Sequence, residues 1–476
     1  MSEAGKILHV GTVAQLADLD PLRVLDLTTE GVCRQIFETP FIAVDTEGGT
    51  RAHLFQGPLE PVPGRGGRNA FAGRLLPGLS FSDGSPVTLE EAAAAARGGL
   101  LPLESAVEVR VDGDRLVFEV GRSRGWLERS LSNLKCCLIT SRGSRLLGTG
   151  PFRQVSENGA AVVELERNPH YRGTVRLDGV VYRQYPADSD GKPTRLVAAL
   201  KSGEIDLTLD LTRVDPSHLA GFRQQLAMGY STALLFFNTQ RAPFDDVRVR
   251  RAVAQAIDRL QFTQLFYQRA LAFVASSLLP PALGRFADGL VANPAAAQAA
   301  IRALAPARRE LKLLTVLAPR PYLPDPQRGA QFLIERLAGL GFQVQTIVPR
   351  TIEEFSDFLV RAEYDLVLAG WQLETLDPGE FLEVSLASTL IPDGVRGNRD
   401  NNLGRYASAE MDQALLRYRD DASRSALEAI LRLAARDLPV LPLLYGGTLL
   451  VHSPAVKSVR MMVEGAPVLA EAELTR

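Results

Sequence analysis

Residues 233–259, ALLFFNTQRAPFDDVRVRRAVAQAIDR, leave few ways for the chain to fold locally. An apolar run ends in Asn238-Thr239, and Pro243-Phe244 punctuates a turn. Asp245-Asp246 then stands where unpaired helix N–H groups and the positive dipole end favour carboxylates. The spacing predicts a helix through Asp258, with Val249, Val253, Ala256 and Ile257 on one apolar face. Arg248, Arg250, Arg251 and Arg259 are expected elsewhere on its surface.

The same grammar of strand, turn and helix recurs along the chain. Ile7–Val13 reads as a first strand, and 21–41 as a loop and helix running into Phe37-Glu38-Thr39-Pro40. Residues 57–78 are rich in Pro, Gly and Arg and read as loop, and 88–97 is an Ala-rich helix. Alternation around Asp112-Gly113-Asp114 predicts one hairpin, and around Glu157-Asn158-Gly159 another. Residues 196–209 read as helix, Gly203 stop and buried strand. Residues 313–348 form a βαβ unit with Gly341 as helix stop, followed by a buried strand over 364–371. Residues 410–437 are expected as helix and 438–452 as strand. Alternating β and α segments in both halves imply α/β lobes.

At 476 residues the chain exceeds one compact domain. Its 53 basic residues balance 55 acidic ones, and no long single-sign run appears, so nucleic acid and anionic membrane are not expected partners. Apolar stretches fall short of a membrane span, so no transmembrane segment is expected. The start, MSEAGKILHV, lacks a signal-peptide pattern, so either a leader was removed or the protein is cytoplasmic. Cys33, Cys136 and Cys137 make a poor disulfide framework and read as small buried residues. Sequence motifs for nucleophilic, zinc or nucleotide chemistry are missing, and the five histidines are scattered. The expectation is therefore a non-enzyme with no catalytic residues, metal or cofactor.

Taken together, the strings fNTqraPFDDvrVRrAvaqAiDR, GTGPFrq…NPHY and LKSGEIDL resemble family 5 extracellular solute-binding proteins. These are the dipeptide-, oligopeptide- and nickel-binding components of ABC importers. The resemblance covers nearly the entire chain. It implies a two-lobed periplasmic-binding-protein-like α/β fold of type II with an accessory β-rich subdomain. Lobe I would hold residues 1–236 and 446–476, with the accessory part at about 45–165, and lobe II residues 237–445. The accessory part looks trimmed, because 69–79 replaces the longer segment usual before the Phe-x-Asp-Gly-x-Pro turn.

The resemblance also implies a site. Arg320-Pro321-Tyr322 matches the place where a guanidinium pairs with the ligand's carboxylate, a planar fork that Lys cannot reproduce. Residues 370–378, GWQLETLDP, match the motif whose acid pairs with the ligand's α-amino group; here Glu374 stands in that place. Gly370, Trp371 and Gln372 should present an exposed strand edge to the ligand's main chain, together with the segment containing Thr39. Trp371 either walls the pocket or packs in the core, and Asp377-Pro378 forms a turn or cap. Asn401, Asn402 and Tyr406 are expected to order their loop. The ligand would be a short peptide or peptide-like zwitterion and the partner an ABC permease. The alternative is an intracellular, repurposed peptide sensor, biosynthetic enzyme or scaffold.

Overall fold

The computed structural model describes residues 6–16, 18–24, 27–44, 49–103, 106–143, 145–155, 161–189, 191–211, 214–281, 283–284, 286–304, 308–317, 320, 322–372, 377–394, 401–463 and 465–475. The chain divides into two compact units: Met1–Ala227 with Thr448–Arg476, and Met228–Gly447. Both boundaries fall inside long strands, Arg223–Phe237 and Val440–His452, rather than in loops.

The first unit is built on strand Ile7–Thr12, paired in parallel with Gly179–Gln184 on one side and with Leu207–Thr208 on the other. Antiparallel strands Val162–Arg167 and Phe152–Gln154 extend it beyond Gly179–Gln184. Helix Leu27–Ile36 covers this sheet, and Val32, Cys33 and Ile36 join Leu8, Val10 and Val180 in one core. A second sheet runs in the order Glu60–Val62, Asn69–Gly73, Arg115–Val120, Glu108–Asp112, all antiparallel. Helix Leu89–Leu100 packs on it through Ala92, Ala93 and Ala96, giving that sheet its own core. Thr88 and Glu91 close a reciprocal capping box at the helix start. All three cysteines are buried in this unit, and none is in a disulfide.

The second unit centres on Leu366–Gln372, antiparallel to Ser231–Phe237 and parallel to Glu310–Thr315, which in turn pairs in parallel with Gln343–Ile347. Helices Val247–Ala256 and Pro326–Gly339 bury Val249, Val253, Leu333 and Leu337 against it.

Three local expectations are corrected. The helix after Asp246 stops at Ala256, because Ile257 is extended and Asp258 caps a new helix, Arg259–Gln264, by accepting from the Leu260 and Gln261 amides. Residues 410–437 split into Ala409–Asp421 and Arg424–Asp437, with Ala422 in the left-handed region (φ 49°) and Ser423 capping the second helix. The 57–78 segment is not all loop: Asn69–Gly73 forms a full strand, because Phe71 pairs across to Phe118 and supplies core.

Candidate ligand-binding site

Strand Leu366–Gln372 begins as an apolar run buried on both faces, with Leu366, Val367 and Leu368 fully enclosed. Its entry is fixed by Asp365, which has no solvent exposure. Arg308 grips that carboxylate with both terminal nitrogens, Arg241 Nε reaches it at 3.0 Å, and the Lys312 amide donates to it at 2.7 Å. Two guanidiniums and an amide offset the desolvation of one carboxylate, and so tie this strand to its neighbour.

The other end of the strand is where burial relaxes. The parallel neighbour ends at Thr315, which pairs with Leu368, so residues 369–372 run past it. The expected open edge is therefore present on one side at most: Ser231, Thr232 and Ala233 pair with Gln372, Trp371 and Gly370 along the other. The chain leaving Thr315 reaches Arg320 beyond the same carboxyl end of the sheet, where ligands of α/β folds collect.

Arg320 is exposed, and its backbone exchanges two hydrogen bonds with Leu323, at 3.0 and 2.9 Å, closing a tight reversal. Among the described residues its guanidinium has no carboxylate partner. Tyr322 turns inward, 8% exposed, and its ring lies over Gly370. Burial pushes its hydroxyl up to about 12, while the nearby Arg320 charge acts in the opposite sense. Trp371 is half-buried, and its indole Nε1 is enclosed without a hydrogen-bond partner among the described residues. Arg320, Tyr322, Gly370, Trp371 and Gln372 thus belong to one end of one sheet.

Glu374 lies outside the described residues. Thr39 belongs to the first unit, where it is buried and its hydroxyl donates to the Phe41 carbonyl at 2.7 Å, a local turn contact. Asp377 caps helix Pro378–Leu386 by accepting from the Gly379 amide at 2.6 Å. Asn402 is fully buried and binds the Ala387 and Tyr406 carbonyls and the Tyr406 amide, which orders its loop.

One residue expected away from its helix's apolar face is internal. Arg250 is 5% exposed, and its guanidinium donates to the carbonyls of Phe244, Asp245, Asp437 and Leu438. The available signal was its spacing, since Arg250, Ala254 and Ile257 share a helical face.

Residues 140–392 match the family described as bacterial extracellular solute-binding proteins, family 5 Middle. The chain belongs to that family. Among relatives of this family 5 chain, heme-binding protein A of Haemophilus influenzae is 28% identical over 297 residues, 60% of this chain and 51% of that one. A probable di/tripeptide-binding protein 5 of Pseudomonas aeruginosa is 27% identical over 277 residues, 56% of this chain and 50% of its own length. The chain spans about half the length of the curated relatives it matches. In fold it is similar to a dipeptide-binding protein of a Pseudoalteromonas species in complex with Met-Leu, with a TM-score of 0.75 and 18% identity over 98% of this chain and 100% of that one. The family 5 chain thus has the two-lobed α/β fold of type II periplasmic binding proteins. No described helix is long and apolar enough to cross a membrane.

Proposed function

We propose that this chain binds a short peptide or peptide-like zwitterion as the substrate-binding component of an ABC importer. The observation that carries the reading is Arg320: an exposed guanidinium, without a carboxylate partner among the described residues, beside Tyr322 at the carboxyl end of the sheet. Such a fork reads a carboxylate bidentately. Glu374, four residues beyond Gly370, takes the ligand's ammonium group, and the strand end at Gly370–Gln372 offers main-chain pairing that tolerates side-chain variety. Lobe I takes the first compact unit, Met1–Ala227 with Thr448–Arg476, with an accessory part at about 45–165, and lobe II the second, Met228–Gly447. Ligand binding favours the closed state of the two lobes, as in periplasmic binding proteins generally. The protein binds rather than catalyses, and it works outside the cytoplasmic membrane, beside its permease. The family's extracellular description and the di/tripeptide-binding relative support this reading.

A thermal-shift screen tests it directly. Di- and tripeptides, their N-acetylated and C-amidated forms, and hemin are offered separately. A peptide at a hundred times its dissociation constant stabilises the fold by about 2.7 kcal/mol. Blocking either terminus should remove the shift. A shift with hemin alone, or with no compound, overturns the proposal.

A further inference from the structure

The second unit also holds a cavity of about 330 Å³, lined by none of Arg320, Tyr322, Gly370, Trp371 and Gln372. This is at the small end of the range of about 300–1,000 Å³ occupied by small-molecule sites. One wall is a face of helix Arg424–Asp437 bearing Arg424, Glu428, Leu431 and Arg432, which recur at helical spacing. Ser277 and Phe286–Asp288 also line the cavity, and Leu438, Val440 and Pro442 add apolar lining.

The segment from Ser276 to Asp288 is fixed by the protein's own hydrogen bonds. The Tyr445 hydroxyl accepts from the Ser276 and Ser277 amides, at 3.1 and 2.9 Å, and donates to the Ser277 carbonyl. The Ser276 hydroxyl donates to the Phe286 carbonyl at 3.0 Å, and the Asp288 amide to the Ser276 carbonyl at 2.7 Å. A pocket whose walls are fixed in advance loses little order when it is filled.

Charge decides what it takes. Asp288 is engaged by Arg259 at 2.6 and 3.2 Å, so it is neutralised. Glu428 is shared: Arg424 Nε reaches it at 3.1 Å, whereas Arg432 approaches only to 3.8 Å. Among the described residues, Glu428 is the carboxylate that Arg424 and Arg432 both approach, and Arg432 holds it only at the longer distance. Arg424 also lies over the Phe286 ring, 5.4 Å from its centre, which fixes it at the mouth. We propose that this cavity is a second binding site, for a small amphiphilic carboxylate whose apolar body enters over Leu431 and Val440 while its anionic end meets Arg432.

The probe is 3-phenylpropionate, titrated by calorimetry into the Arg320→Ala protein so that the peptide site cannot supply the cation. Saturable binding is expected, with the uncharged 3-phenylpropanol at least about tenfold weaker, the effect of losing one charge-assisted hydrogen bond. Leu431→Trp should fill the cavity and remove binding. Arg432→Glu, at a side chain 71% exposed and therefore harmless to folding, should weaken the acid at least about fivefold and leave the alcohol unchanged. No binding at millimolar probe, equal binding of acid and alcohol, or an Arg432→Glu protein that binds the acid as before, each overturns the proposal. None of these outcomes bears on the peptide reading, which rests on Arg320.

Discussion

The ring of Tyr322 lies across the bare Cα of Gly370: a methyl group added there would sit 2.5 Å from Cδ2 and 2.6 Å from Cε2. It would also stand 2.3 Å from the Thr232 carbonyl oxygen, which is backbone and cannot swing away. Gly370→Ala should therefore cost about 1–3 kcal/mol by overpacking. It should also displace the turn that carries Arg320 and weaken peptide binding. Urea midpoints and calorimetry check both; an unchanged midpoint contradicts the close approach.

Arg250 predicts an unusual contrast between adjacent arginines. It closes the end of helix Arg424–Asp437, where Leu438 adopts φ 45° and its carbonyl accepts from Arg250 Nε at 3.0 Å. Arg250→Lys keeps the charge but loses the fork, leaving buried carbonyls without donors. The expected loss is about 2–4 kcal/mol. Arg251, which is exposed and donates to the Arg436 carbonyl, should tolerate Ala within about 0.5 kcal/mol. Chemical denaturation of both variants decides.

Glu38 gives the first unit an acid-sensitive joint. Burial opposes its ionisation, but hydrogen bonds from His53 and Arg172 outweigh it and hold the carboxyl below the usual range. Thr149 donates to the same carboxylate at 2.9 Å. A lowered folded value means the contribution is complete above the ordinary carboxylate value of about 4.3 and is lost as pH falls through the folded one. The stability difference between wild type and Glu38→Gln should therefore shrink as the pH falls below about 4.3. A difference that grows on acidification contradicts the sign.

Arg320→Ala should abolish binding of free-carboxylate peptides. Because the side chain is exposed, stability should stay within about 0.5 kcal/mol. Arg320→Lys should restore only part of the affinity, since an ammonium cannot pair bidentately. Calorimetry with a dipeptide and its amide reads this out, and unchanged affinity in the Ala variant removes the guanidinium from the site.

Elements with strong periodicity were legible in the sequence. The hairpin at 108–120, the Gly203 stop and the βαβ unit ending in Gln343–Ile347 all follow from alternation and glycine placement. The two helix misreadings share a cause: a left-handed or extended break at a residue that is not glycine. Ala422 and Ile257 interrupt helices whose apolar spacing continues through the break, where Ser423 and Asp258 cap the helices that follow. Charge favours the surface for Arg250, and its burial is explained by the carbonyls it satisfies, two on the preceding turn at Phe244 and Asp245 and two on the remote Asp437 and Leu438. For the candidate site, the resemblance pointed to Arg320 and Gly370. Neither periodicity nor motif could reveal that Tyr322 is the side chain joining them, since that contact lies between segments nearly fifty residues apart.

The three thiols offer a practical consequence. Cys33, Cys136 and Cys137 have no exposed surface; burial lifts Cys136 to about 12 and holds Cys137 well above the usual thiol range. A maleimide added to the folded protein should find nothing to react with. Each position chosen for a fluorophore or spin label, Ile352→Cys for instance, would then carry the sole reactive group. Wild-type labelling, by the same logic, becomes a clock for unfolding of the first unit.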